Sequence, residues 1–138
     1  MKRDGARVTA NRYSEESLRQ ISTCEDDLQR LFSKVLETWD HAVIEGHRSE
    51  IRQAYLFRTG ASKLESGGKH NFLPSKGVDV LPAPYDWDAK RVFYDFALFV
   101  RGVAAGMGIE VRWGGDWDSD FDYTDQSFND LVHWELIS

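Results

Sequence analysis

Apolar residues return every three or four positions along two long stretches of the chain. Leu28, Leu31, Phe32, Val35, Leu36 and Trp39 form one stripe, and Phe93, Phe96, Ala97, Val100, Val103 and Ala104 form another. That spacing puts the apolar side chains on one face of a helix, so both stretches are expected to be helices facing a core. Thr23, ahead of Glu25, Asp26 and Asp27, is the expected cap of the first. Asp88 is the expected cap of the second, which runs to about Met107, where Gly106 and Gly108 end it. Ser14 before Glu15 and Glu16 marks a shorter helix with Leu18 and Ile21 on its apolar face. Residues 50–58 read as a fourth helix, with Ile51, Ala54, Tyr55 and Phe57 as its apolar positions and Gly60 as its stop.

Other stretches follow a period of two or are short and β-branched. Residues 42–46, 77–81, 109–113 and 132–137 read as strands, and Pro82 and Pro84 close the second. Between them lie a loop over 60–76, rich in Gly, Ser and Lys, and an acidic, aromatic loop from Gly114 to about Asp130. Loops this long in a small domain often carry function. Helices and short strands in this order predict an α+β fold with a small, mainly antiparallel sheet packed with helices. The 138 residues suit a single domain over 1–138, with 1–13 as a flexible lead-in.

Composition narrows the function. The net charge of −6 disfavours a nucleic-acid partner, since phosphate contacts need clustered Lys and Arg. Cys24 is the single cysteine, which excludes an internal disulfide and a cysteine-rich zinc site. No apolar run is long enough to span a membrane and none follows the basic Met1–Arg7 stretch, so no signal peptide is visible and no membrane insertion is expected. The expected product is made in the cytoplasm.

Three residues stand out by context. His70 lies in the long loop before a strand, Asp79 within that strand between Val78 and Val80, and His133 at the start of the last strand. A carboxylate buried among valines needs a strong partner, and a divalent metal is one. Two imidazoles and one carboxylate around zinc leave a fourth position for water, the pattern of a catalytic site. The same three types also occur scattered by chance in many proteins, and spacing alone does not choose. Asp130, three residues before His133, either caps the turn into the last strand or serves as the base a hydrolytic site needs. Glu135 shares the strand parity of His133 and either orients that ligand or pairs with a surface cation. His41 and His47 read as structural. Trp113, Trp117, Phe121 and Tyr123 form either an aromatic wall for substrate or part of the core. The acids from Asp116 to Asp125 lack the glycine and final glutamate of a calcium loop and read as a solvated acidic loop.

Four stretches in order carry a family likeness: Gly46-His47-Arg48-Ser49; Lys69-His70-Asn71 with Pro74-Ser75 and Gly77-Val78-Asp79-Val80; Arg112-Trp113-Gly114-Gly115-Asp116-Trp117; and Asp130-Leu131-Val132-His133-Trp134-Glu135-Leu136. Together they resemble the M15 zinc metallopeptidases, the group of D-Ala-D-Ala carboxypeptidases and L-alanyl-D-glutamate endopeptidases. The closest likeness is to the short phage endolysin-type members, over roughly residues 14–138. The resemblance implies a hedgehog/DD-peptidase-like fold and one zinc ion held by His70, Asp79 and His133. It further implies Asp130 as general base and Arg48 as the residue that binds substrate and stabilises charge on the attacked carbonyl. Gln53 matches a cleft-facing position, although a surface role fits as well. Gly68 stands where relatives often have a serine, with Ser66 nearby, and Val132 and Trp134 replace a usual proline and phenylalanine. Gln53, Ser66 and Trp117 are the candidate substrate contacts.

The expected activity is hydrolysis of a peptide bond in bacterial peptidoglycan, of the L-alanyl-D-glutamate endopeptidase type, on a stem peptide by a monomeric enzyme that reaches the wall after release. The alternatives are a D-alanyl-D-alanine carboxypeptidase and, from another class, a non-catalytic zinc-containing wall-binding module.

Overall fold

A computed structural model describes residues 10–62, 64, 66–116, 119 and 130–137. Helix α1 spans Glu15–Ile21, α2 Asp26–Leu36, α3 Glu50–Arg58 and α4 Lys90–Met107; strand β1 spans His41–Glu45, β2 Gly77–Pro82, β3 Val111–Trp113 and β4 His133–Leu136. A single 3-10 turn, Lys69–Asn71, interrupts the long loop. The strands form one sheet in the order β1-β2-β4-β3, antiparallel at each pairing. The architecture is thus the expected α+β class. Among the described residues no helix is long and apolar enough to cross a membrane.

The two stripes behave as helical periodicity requires. Leu28, Leu31, Phe32 and Val35 of α2 have no exposed surface, and Phe93, Phe96, Ala97 and Val100 of α4 are buried beside them. Each fully buried large side chain contributes about 1.5–3 kcal/mol relative to an exposed one, which makes this pair of helices the main driving force for the core. Gly108 takes the left-handed conformation, φ 72°, and ends α4 as expected. The expected caps hold in one case of three. Ser14 Oγ accepts from Ser17 N–H at α1. Thr23 does not cap α2, which begins after Glu25. Its hydroxyl is drawn away to accept from His47 N–H at 2.8 Å. Asp88 does not cap α4 either: it lies in a turn with Trp87, and Ala89 holds the cap position.

The lead-in is tied down over its described part. Asn11 Nδ2 donates to Leu36 O at 2.8 Å, and the Tyr13 hydroxyl reaches both Phe32 O and His41 Nε2. Helix α1 docks on the outer edge of β1 through a polar residue: Ser17 Oγ accepts from Val43 N–H at 2.9 Å, and Leu18 is left 53% exposed. That bond satisfies a backbone donor on an edge strand.

Antiparallel partners share a face of the sheet. Val43 pairs with Val80, Val78 with Trp134 and Trp113 with Trp134, and this face packs on α2 and α4. The opposite face carries Asp79 paired with His133, and Gly77 and Arg112 each paired with Glu135. A bulge between Val43 and Glu45 sets Glu45 opposite Asp79. In unbroken register Ile44 would occupy that place, and Glu45 would turn toward the valines. The extra residue re-aims one carboxylate onto the functional face.

Candidate metal centre and active site

Each of the two imidazoles is held from outside by a bond that chooses its tautomer. His70 sits in the 3-10 turn, and its Nδ1–H donates to Gly46 O at 2.7 Å, which turns Nε2 inward. Two further bonds fasten this turn to the segment after β1: Arg48 N–H donates to His70 O at 2.7 Å, and Asn71 Nδ2 donates to Arg48 O at 2.8 Å. Gly46 is required for this arrangement, because a Cβ there would lie 2.2 Å from Gln20 O and 2.4 Å from Thr23 Oγ1. His133 donates Nε2–H to Glu135 Oε1 at 2.9 Å, which turns Nδ1 inward. Glu135 therefore orients the His133 ring, and its other oxygen faces Arg112 Nε at 3.7 Å.

His70 Nε2, His133 Nδ1 and Asp79 Oδ1 converge. His70 Nε2 lies 3.1 Å from Asp79 Oδ1 and 3.2 Å from His133 Nδ1, and the last lies 3.2 Å from Asp79 Oδ1. All three atoms lie within 4.8 Å of one another, a grouping that can hold a metal ion. Three lone-pair-bearing atoms at this separation repel unless they share a cation, so the donor set fits a metal, and outer hydrogen bonds of this kind accompany metal-bound imidazoles. Burial disfavours charge on His133, but bonds to Asp79 and Glu135 outweigh it and raise its pKa to about 9. Burial alone raises the Asp79 carboxyl, yet the neighbouring imidazoles hold it well below the ordinary carboxylate range.

Asp130 is set beside the centre by its backbone. Its N–H donates to Gly114 O at 3.0 Å, and its carbonyl accepts from His133 N–H at 3.1 Å, closing a tight turn into β4. A Cβ at Gly114 would lie 2.1 Å from that carbonyl oxygen, so only glycine permits the approach. Burial first, and then the charge of Asp79, push the Asp130 carboxyl upward against the opposing pull of His133, His70 and Arg48.

Arg48 is buried, with Nη1 donating to Gln53 Oε1 at 2.9 Å and Nη2 to Glu45 Oε1 at 3.0 Å. The same Nη2 lies 3.6 Å from Asp79 Oδ2. A cavity of about 500 Å3 opens over these groups, with Asp130, Arg48, Asp79, His70 and His133 in its wall and Leu56, Leu64 and Trp87 on its apolar side. Trp87, 58% exposed, is a wall residue that sequence patterning passed over, because an isolated tryptophan between acids carries no periodic signal.

The candidate substrate contacts fare differently. Gln53 lines the cavity but is 2% exposed, and its amide is spent on Arg48, Ser62 and Leu64 O. Ser66 is exposed on the loop. Trp117 lies outside the described residues, as do Phe121 and Tyr123. Trp113 is core, fully buried and stacked on Trp134 at 6.0 Å. Asp116 does not join a solvated acidic loop; it is fully buried and paired with Arg101 at 3.0 Å. His41 is a core residue among Tyr13, Phe32 and Phe96, and Cys24 is buried.

The comparison with known proteins agrees with this geometry. The model of the phage L-alanyl-D-glutamate peptidase family matches residues 9–137. The chain belongs to that family. It is 25% identical over 134 residues to the L-alanyl-D-glutamate peptidase of Escherichia phage T5, covering 91% of this chain and 98% of that protein. Its fold superposes on the crystal structure of the Serratia marcescens L-Ala D-Glu endopeptidase ChiX with a TM-score of 0.71 at 27% identity, covering 91% of this chain and 90% of that one. Members of this family are peptidoglycan peptidases, so this phage-type chain is a hydrolytic enzyme of the bacterial wall.

Proposed function

We propose that the enzyme is a zinc-dependent endopeptidase that cuts the bond between L-alanine and D-glutamate in the peptidoglycan stem peptide. The observation that carries this reading is the convergence of His70 Nε2, Asp79 Oδ1 and His133 Nδ1 at the floor of an open cavity, with the Asp130 carboxylate in the same wall. Those three residues would hold one zinc ion, which when bound supplies Lewis acidity and a more acidic water. Asp130 takes the proton from the attacking water and returns it to the leaving amine. Burial and the charge of Asp79 shift the Asp130 carboxyl upward, the direction that favours taking up a proton. Arg48, fixed by Glu45 and Gln53, presents a guanidinium to the negative charge that develops on the attacked carbonyl. The apolar side of the cavity holds the alanyl methyl and neighbouring backbone away from water.

Purified peptidoglycan incubated with the zinc-loaded protein should yield new amino termini on D-glutamate, identified by mass spectrometry. His70→Ala should lose both the metal and this product. Release of D-alanine instead would transfer the enzyme to the carboxypeptidase reading. Zinc uptake with no cleavage of any wall bond would support the non-catalytic module.

A further inference from the structure

Among the described residues four carboxylates, Glu45, Asp79, Asp130 and Glu135, stand in the cavity wall of a chain whose net charge is −6. The substrate is itself an anion. In an L-alanyl-D-glutamate unit the α-carboxylate of D-glutamate hangs from the carbon bonded to the scissile nitrogen. A negative charge therefore enters an acidic cavity within a few bonds of the cut, and like charges there repel unless a cation on the wall receives it.

Among the described residues three Arg or Lys side chains line the cavity: Arg48, Lys69 and Arg52. Arg48 is buried and committed to Glu45 and Gln53. The Lys69 ammonium donates to Leu136 O at 2.9 Å. Arg52 differs from both. It lies in the first turn of α3 with its side chain 53% exposed, and its Nε donates to Glu45 Oε2 at 2.8 Å. Its terminal amino groups form the planar fork that meets a carboxylate at two points. Glu45 holds both arginines, Arg48 on one oxygen and Arg52 on the other. The bulged carboxylate thus spaces a buried guanidinium near Asp79 from a rim guanidinium one ion pair farther out.

We infer that Arg52 is a specificity-determining residue that binds the free α-carboxylate of D-glutamate on the leaving side of the bond. This rests on the peptidase reading proposed above. The test compares two synthetic stem peptides that differ only at that position, one with the free carboxylate and one with a carboxamide. The zinc-loaded native enzyme, R52Q and R52K are assayed for kcat and KM. The native enzyme should prefer the carboxylate. R52Q should lower kcat/KM for the carboxylate peptide about ten- to a hundredfold more than for the carboxamide, chiefly through KM, the size of a lost hydrogen-bonded charge pair. R52K should keep part of the preference, since it keeps the charge and loses the fork.

Equal losses on both peptides in R52Q, or a native enzyme indifferent to the carboxylate, would overturn the assignment. Near-UV circular dichroism identifies a misfolded R52Q, in which case R52K carries the comparison. Cleavage of both peptides with the ratio unmoved by either variant removes only the role of Arg52. A native enzyme that cuts neither peptide yet releases other fragments from whole peptidoglycan removes the underlying bond assignment, and this inference with it.

Discussion

Replacing Glu135 by alanine tests the proposed metal site by separating the His133 ring from the group that aims it. In the native chain Glu135 Oε1 accepts from His133 Nε2–H at 2.9 Å, and this bond is what presents Nδ1 to Asp79 and His70. Without it the ring can take the other tautomer, with a proton on the nitrogen that a metal needs. Removing an outer partner of this kind costs about 10–100-fold in metal affinity, which is about 1.4–2.7 kcal/mol. The pair between Glu135 and Arg112 at 3.7 Å adds little, because Arg112 is 36% exposed and screened by water. Nearly the whole effect should therefore fall on the metal. Glu135→Gln keeps an acceptor oxygen within reach of Nε2 and should lose much less. Competition for zinc against a chromophoric chelator at neutral pH measures both, with circular dichroism to confirm folding. A folded E135A that binds zinc as tightly as the native protein would refute the claim that this bond sets the ligand.

Three further outcomes follow from the same geometry. Asp130→Asn should retain zinc and lower kcat by about 10²–10⁴-fold, the usual share of a general base, and unchanged turnover in a peptide assay removes Asp130 from the proton transfer. Gly114→Ala places a Cβ 2.1 Å from Asp130 O, so the turn must shift; a loss of about 1–3 kcal/mol in denaturant unfolding is expected, together with reduced activity, and native stability would show the contact to be yielding. His41 is held neutral by burial, which lowers its pKa from 6.5 to about 4. Its unfolded form binds a proton that the folded form refuses, so stability is present above pH 6.5 and falls as the pH drops from 6.5 toward 4. The loss attributable to His41 is roughly 3 kcal/mol. Chemical denaturation at several pH values and the NMR titration of its ring check this, and titration near 6.5 would contradict it.

The helices that build the core were legible because their signal is local. Leu28 to Val35 and Phe93 to Ala104 repeat at the helical period, and each such residue buries itself wherever the helix docks. Helix α3 defeats the same reasoning. Ile51 is 84% exposed and Tyr55 52%, whereas Gln53 is the buried residue. A polar side chain is stable inside when its partners are present, and here the partners, Arg48, Ser62 and Leu64 O, come from outside the helix. Asp116 misled for the matching reason. An aspartate beside two glycines looks like a solvated loop residue until Arg101 is seen to pair with it.

By itself the sequence determined which residue types were available for metal chemistry and the order in which they come, as well as the α+β class and the two helices of the core. The tertiary structure alone decided which atoms meet. Asp79 and His133 become neighbours through strand register, His70 is turned by the carbonyl of Gly46, and Glu45 reaches the functional face through one bulged residue. Periodicity is a property of a few adjacent residues and can be read locally. A ligand set drawn from residues 70, 79 and 133 depends on register and on backbone bonds between distant segments, and no local pattern encodes those.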